Sequence, residues 1–201
     1  MKAFKYVFVL ASATDIERLA SIKNAALEAK KTLYVCSKFI ASTMKFFTER
    51  ESELSHGLFN FSPRMLRLNG LERIKKSGFV LVVGTSQISR VKKLINELPI
   101  EDTLLIYSSW EGYYTIPEQI AANPNYKKFR ELFFNVVDIH TSGHADKTTI
   151  RKVIDIVKPQ ETVFIHKEKG ALDNLDNLVP YRKWFYGFLP SKKNPHSLEK
   201  M

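Results

Sequence analysis

The sequence predicts an α/β protein with a Rossmann-like parallel sheet and flanking helices. Short apolar, β-branched segments recur along the chain, and amphipathic stretches follow most of them. Because these segments are apolar throughout rather than alternating, a sheet covered on both faces is expected. The candidate strands are KYVFVLA (5–11), TLYVC (32–36), GFVLVVG (78–84), DTLLIYS (102–108), VVDIH (136–140) and TVFIH (162–166).

The first helix should follow the first strand directly. Thr14 and Glu17 have the spacing of a capping box. Its expected buried face comprises Ile16, Leu19, Ala20, Ala26 and Leu27. Residues 38–76 are expected to hold two helices, one on each side of HGLFNFSPR (56–64).

The stretch HTSGHADKTTIRKVIDIVKPQETVFIHKE (140–168) predicts a β-loop-α-β unit. Asp146 is a suitable helix N-cap, and Pro159 ends the helix. The apolar positions Ile150, Val153, Ile154 and Val157 have helical spacing. A right-handed crossover would direct the SGH loop and the end of the next strand to one sheet edge, where ligands of parallel sheets bind.

Length and composition fit a globular chain of one large or two small domains, with 201 residues and 44% hydrophobic content. The composition changes at WEGYYTIPEQIAANPNY (110–126), where aromatic residues, a glycine and two prolines occur together. This change predicts a division into residues 1–110 and 111–201. Thirty-one Lys and Arg against 21 Asp and Glu give a net charge of +10. Since the excess is spread in separate Lys pairs, both a polyanion partner and an ordinary solvated surface fit it.

Several protein classes are disfavoured. No apolar run approaches the ~20 residues of a membrane span, and the N-terminus is interpreted as a strand rather than a signal peptide. The single Cys36 excludes an intrachain disulfide and fits a cytoplasmic protein. The absence of a Walker loop and of G-x-G-x-x-G disfavours nucleotide enzymes.

Four stretches together resemble a known family. They are ATDIERLASIKNAALEAKKTLYV, VLVVGTSQISR, LLIYSSWEGYY and the 140–168 segment. They are similar to the β-CASP cassette and C-terminal segment of RNA-metabolising nucleases with the metallo-β-lactamase fold, such as ribonuclease J and the cleavage-and-polyadenylation endonuclease. The resemblance implies a β-CASP sheet followed by a partial metallo-β-lactamase αβ segment.

The resemblance also implies site residues. His144 corresponds to a histidine that protonates the leaving group or grips the scissile phosphate, and Ser142 and Gly143 would bind that phosphate. His166 corresponds to a zinc ligand, although Lys167 follows it where the family has glycine. The family's H-x-H-x-D-H motif is missing from this sequence. Zinc is therefore expected only if a companion chain supplies the missing ligands, and none is expected for the isolated chain.

Two functions stay open. One is a subunit or truncated relative of a metal-dependent RNA or DNA phosphodiesterase, which carries the nucleic-acid clamp and the C-terminal histidines. The alternative is a non-catalytic nucleic-acid-binding or protein-interaction module that retains the fold. The expected partners are RNA or single-stranded nucleic acid, a possible companion chain with the metal-binding half and a possible homo-oligomer, with no membrane. Whether the chain alone is an enzyme stays open.

Other candidates have plainer alternatives. Ser108 and Ser109 would form a phosphate-binding turn or a simple strand exit, and His144 itself would suit a turn histidine. Arg18 and Arg90 would contact phosphates or, more simply, lie on solvated helix surfaces. His140 is expected to fix the end of a buried strand, so His140→Ala should lower the Tm while His144→Ala weakens binding. The aromatic segment 181–190 is interpreted as packing or self-association rather than base stacking.

Overall fold

The computed structural model describes residues 4–51, 55–67, 71–140 and 147–159. The chain divides into two compact units, Met1–Ser142 and Gly143–Met201. The expected boundary after residue 110 falls inside the first unit, because the strand that follows it pairs with the strand that precedes it.

The described strands form one parallel six-stranded sheet in the order β3-β2-β4-β1-β5-β6, which confirms the α/β class. Four of them fall within predicted segments, and β6 overlaps the predicted segment 136–140 but begins one residue earlier. The sequence missed β3 because two residues are too few to show a pattern. The predicted strand 162–166 lies outside the described residues. The bounds are Tyr6–Leu10 (β1), Leu33–Val35 (β2), Arg64–Met65 (β3), Phe79–Val83 (β4), Thr103–Tyr107 (β5) and Asn135–Asp138 (β6).

Helices follow the strands as the periodicity predicts, including two in the 38–76 region. Their bounds are Ile16–Glu28 (α1), Lys38–Thr48 (α2), Leu71–Ser77 (α3), Ile88–Ile95 (α4), Gly112–Thr115 (α5), Pro117–Ala122 (α6), Pro124–Arg130 (α7) and Lys147–Val157 (α8). Two 3₁₀ turns cover Thr85–Gln87 and Ile100–Asp102. None of the described helices is long and apolar enough to cross a membrane.

The start of α1 differs from the prediction. Asp15 is the N-cap, and its Oδ1 accepts a hydrogen bond from Arg18 N at 3.2 Å. Thr14 instead pairs its hydroxyl with that of Ser12 at 2.8 Å. The predicted capping box was therefore wrong by one residue, since the carboxylate of Asp15 accepts the helix N–H.

The buried face of α1 also differs at one position. Leu19, Ala20 and Ala26 are buried as predicted, whereas Leu27 is 67% exposed. Ala26 lies two turns after Leu19 and so returns to the same side of the helix, while Leu27 is about 100° further round. The apolar character of Leu27 alone did not indicate which side of the helix its side chain occupies.

Two apolar clusters cover opposite faces of the sheet. One contains Phe8 and Leu10 of β1 with Val91 of α4 and Phe129 of α7. The other contains Val9 of β1, residues of α1 and α2 such as Leu19 and Met44, and Val82 of β4. The helix after β1 and the helices after β5 therefore leave the sheet toward opposite faces.

β6 is the outermost described strand on its side of the sheet, and its exposure corrects one expectation. It pairs with β5 alone among the described strands. Val137 is 45% exposed and Ile139 is 52% exposed. The expected buried strand was wrong here, because an apolar, β-branched sequence does not show whether a strand is central or at an edge.

Candidate nucleic-acid interface

The carboxyl ends of β1 and β5 form the natural ligand position of this sheet. These neighbouring parallel strands are followed by helices on opposite faces, α1 after β1 and α5–α7 after β5. In open α/β sheets, such a switch in direction opens a crevice where ligands bind. We use the name switch-point edge for these residues at and beyond the ends of the strands: Ser12, Thr14, Asp15, Arg18, Ser108 and His140.

Arg18 is the centre of the switch-point edge. Its Nη1 donates a 2.7 Å hydrogen bond to the carbonyl oxygen of Ser108, at the end of β5. Its Nε lies 3.0 Å from Asp15 Oδ2, and the Arg18 side chain is 15% exposed. The predicted solvated surface position for Arg18 is therefore wrong, because the guanidinium joins the start of α1 to β5.

His140 contacts the same guanidinium. Its Nδ1 lies 3.3 Å from Arg18 Nη1. Because a guanidinium can only donate, Nδ1 accepts this hydrogen bond and the imidazole is neutral with its proton on Nε2. The pKa of His140 is lowered by partial desolvation of the ring and by the neighbouring Arg18, with Asp15 acting in the opposite direction. His140, two residues after the end of β6, is thus linked to α1, as expected for a histidine that fixes a strand end.

The backbone of Ser108 is engaged on both sides. Its N–H donates to Leu10 O at 3.0 Å, which extends the β1–β5 pairing by one residue, and its carbonyl accepts from Arg18. Ser108 is buried and Ser109 is half-buried. The hydroxyls of Ser12 and Thr14 lie at the end of the neighbouring strand. Sequence reasoning did not select them, although the polar pair directly after an apolar strand was a usable signal.

Arg90 has a structural position instead. Its Nη1 donates to Cys36 O at 3.2 Å, and its Nη2 donates to Leu66 O in a second, very short hydrogen bond. These carbonyls follow β2 and β3, so Arg90 joins the ends of two strands. Burial raises the pKa of the Cys36 thiol, and Arg90 partly offsets this. Neither a solvated surface nor a phosphate contact describes Arg90.

The predicted residues Ser142, Gly143, His144 and His166 lie outside the described residues, as do Asp146 and the segment 181–190. Within the described ranges, no three His, Cys, Asp or Glu side chains are placed to hold a metal ion. At the switch-point edge, the Arg18 guanidinium lies between Asp15 and His140. Those side chains therefore do not suit a divalent cation, and the Asp15–Arg18 ion pair beside a neutral His140 carries no net charge.

One family model matches the chain. Residues 134–182 match the Zn-dependent metallo-hydrolase RNA specificity domain, which is about a quarter of the 201 residues. The matched segment contains β6, α8 and the positions of His144 and His166. It is similar to an RNA-specificity module of zinc-dependent hydrolases. No curated protein matches the chain.

Proposed function

We propose that this chain binds RNA as part of a zinc-dependent metallo-hydrolase system related to the β-CASP nucleases, such as ribonuclease J. The observation that carries the proposal is the match of residues 134–182 to an RNA specificity domain of such hydrolases. The matched segment begins at the edge strand whose end reaches Arg18 through His140. The Arg18 guanidinium and the RNA-specificity segment are thus in contact through His140.

The hydrogen-bond donors at the switch-point edge support a phosphate ligand. A largely dehydrated guanidinium attracts an anion more strongly than one in bulk water, and its planar fork suits phosphate oxygens. The nearby hydroxyls of Ser12 and Thr14 add short donors. Asp15 offsets the charge of Arg18, so a phosphate here would be held by directional hydrogen bonds rather than by a net positive charge.

The segment 140–168 would supply the remaining roles. In this proposal Ser142 and Gly143 bind a phosphate of the RNA, and His144 donates a proton to it or to the leaving oxygen. His166 is one zinc ligand, and the other ligands come from residues that these 201 do not include. Zinc would polarise the scissile phosphate and activate a water molecule.

A non-catalytic RNA-binding module is the second candidate. It is favoured by the guanidinium that lies between Asp15 and His140, because this arrangement opposes a catalytic cation at the same edge. Both candidates require RNA binding, and they differ in cleavage.

The test measures binding and cleavage on the full chain. Anisotropy of a labelled single-stranded RNA should show that His144→Ala weakens binding about tenfold, the order of a lost charge-assisted hydrogen bond. His196→Ala, which removes an imidazole outside the matched segment, should bind like the parent. Both variants should keep the parental Tm.

Cleavage separates the two candidates. The nuclease proposal expects no cleavage by the chain alone with Zn²⁺, and cleavage when a companion chain with H-x-H-x-D-H is added. Cleavage by the chain alone would contradict the need for outside ligands. Binding without cleavage in either case favours the non-catalytic module, and no RNA binding at low salt would contradict both.

A further inference from the structure

Three aromatic side chains meet on the connection between β5 and β6. The ring centroids of Trp110 and Tyr113 are 5.6 Å apart, with their planes at 78°. Tyr113 and Tyr126 stack nearly parallel, with centroids 4.3 Å apart and planes at 14°. All three residues are half-buried, so each keeps part of its surface accessible. We call these three residues the aromatic platform.

The backbone is shaped to hold this platform. A Cβ built on Gly112 would lie 2.5 Å from two carbons of the Trp110 ring, so the indole rests directly against the glycine. Tyr113 belongs to α5 and Tyr126 to α7, and their stacking joins the two helices. The rings are therefore positioned before any ligand arrives, which lowers the entropic cost of binding on them.

A neighbouring aromatic group shows the contrast. The Tyr114 hydroxyl donates to Asp138 Oδ1 at 3.2 Å, and Arg130 lies over the Tyr114 ring at 4.6 Å. Arg130 also pairs with Asp138 at 2.9 Å. This set joins α5 and α7 to β6 through internal partners. Within the described part of the chain, by contrast, the Trp110 ring packs against Tyr113, and the Tyr113 ring stacks on Tyr126.

The platform lies beside the switch-point edge. Trp110 comes two residues after Ser108, whose carbonyl holds Arg18. The exposed Lys127 and Lys128 follow Tyr126 directly on α7. Rings next to cationic side chains are the combination that holds single-stranded nucleic acid, because bases stack on the rings while the charges attract the backbone.

We propose that Trp110, Tyr113 and Tyr126 form a stacking site for an unpaired base of single-stranded RNA whose backbone follows the switch-point edge. This inference rests on the proposed RNA-binding function and adds the strandedness of the ligand. A duplex would not use the site, since its bases are stacked within the helix. Sequence-specific reading is not required, because every base offers a stacking face.

Paired substitutions test the site in the full chain. Trp110→Leu and Tyr113→Leu remove a ring, whereas Trp110→Phe and Tyr113→Phe keep one. The leucine variants should lose about 5- to 100-fold in affinity for a single-stranded RNA 12-mer, the effect of losing a stacked base. The phenylalanine variants should stay close to the parent. Binding of inorganic polyphosphate, which has charges but no bases, should be unchanged in all four.

A fluorescence measurement covers the case in which a leucine variant does not fold. Trp110 and Trp184 are the two tryptophans, so Trp184→Phe leaves Trp110 as the reporter. Single-stranded RNA should quench its emission, and polyphosphate should not. Unchanged emission on RNA binding would overturn the platform, as would equal losses of RNA and polyphosphate affinity in the leucine variants. Binding of polyphosphate without binding of RNA would also overturn the aromatic platform. A chain that binds neither ligand would contradict the proposed RNA-binding function, on which the platform rests.

Discussion

At the scale of single residues, two arginines with similar sequence settings have different tasks. Arg18 reaches the switch-point edge, and Arg90 bonds carbonyls beyond β2 and β3. Their partners lie 90 and 54 residues away in the chain, so no local pattern could have predicted them. What the sequence could indicate was a basic residue near the start of a helix that follows a strand.

We expect Arg18→Ala and Arg90→Ala to separate binding from stability. Each removes charged donors from backbone carbonyls, so each should lower the free energy of unfolding by about 1.5–3 kcal/mol, measured by urea denaturation. Only Arg18→Ala should also weaken binding of single-stranded RNA, by about tenfold at low salt. Equal weakening in the matched Arg90 variant would show that the loss follows stability rather than the site.

His140 gives a pH dependence whose sign follows from its lowered pKa. Above the unfolded pKa of about 6.5 the imidazole is neutral in both states and has no effect on stability. As the pH falls below that value, the unfolded chain takes up the proton first, because partial desolvation of the ring and, after it, Arg18 lower the pKa of His140 in the fold. Stability should therefore fall with pH until the folded pKa is passed. Urea unfolding between pH 7.5 and 5 should show a smaller loss in His140→Gln, and an identical loss would exclude His140 as the cause.

At the scale of elements, the start of β4 depends on a glycine. Gly78 has a φ of +72°, and a Cβ there would lie 2.4 Å from the carbonyl oxygen of Lys5. That oxygen accepts the N–H of Phe79, so it cannot move without loosening the junction of β1 and β4. Both strands are central in the sheet.

Gly78→Ala should therefore be much more destabilising than Gly57→Ala. Gly57 also has a positive φ, +77°, but nothing lies within 4 Å of a Cβ built there. Gly57→Ala should cost about 1–2 kcal/mol of unfolding free energy from backbone strain alone. Gly78→Ala adds a clash with the backbone and should exceed that cost clearly in urea denaturation. Similar costs would mean that the Lys5 carbonyl shifts easily.

The elements also show what a local pattern can predict. The apolar strands β1, β4 and β5 were found because continuous burial demands an apolar run. The sequence did not predict the outer position of β6 among the described strands or the two-residue strand β3, since both depend on neighbours that are distant in sequence. The N-cap of α1 was displaced by one residue because Thr14 and Asp15 are adjacent polar residues and either could have capped the helix.

At the scale of the whole molecule, the order of the strands creates the candidate site. Sequence periodicity predicted alternating strands and helices, but it could not show that β4 inserts between β2 and β1. The switch-point edge brings together Arg18 and His140, which are 122 residues apart, and this contact depends on the strand order. The segment 140–168 was recognisable as similar to a family because its residues are contiguous in the sequence. The switch-point edge was not recognisable, because it is assembled from residues that follow three different strands, β1, β5 and β6.

The net charge of +10 leads to a prediction about salt. Binding that neutralises phosphates releases counterions, so a groove that engages about 4 phosphates of single-stranded RNA should give a log-log salt slope of about −3. Arg18→Ala should make that slope less steep by about 0.7, because one phosphate contact is lost.

Lys45→Ala is the matched control: Lys45 lies in the last turn of α2 and pairs with Glu49 at 3.5 Å, so its removal should leave the slope unchanged. Anisotropy titrations from 50 to 300 mM KCl measure all three slopes. A slope near zero would contradict phosphate binding, and equal changes in both variants would mean that the affinity comes from the general surface charge rather than from the switch-point edge.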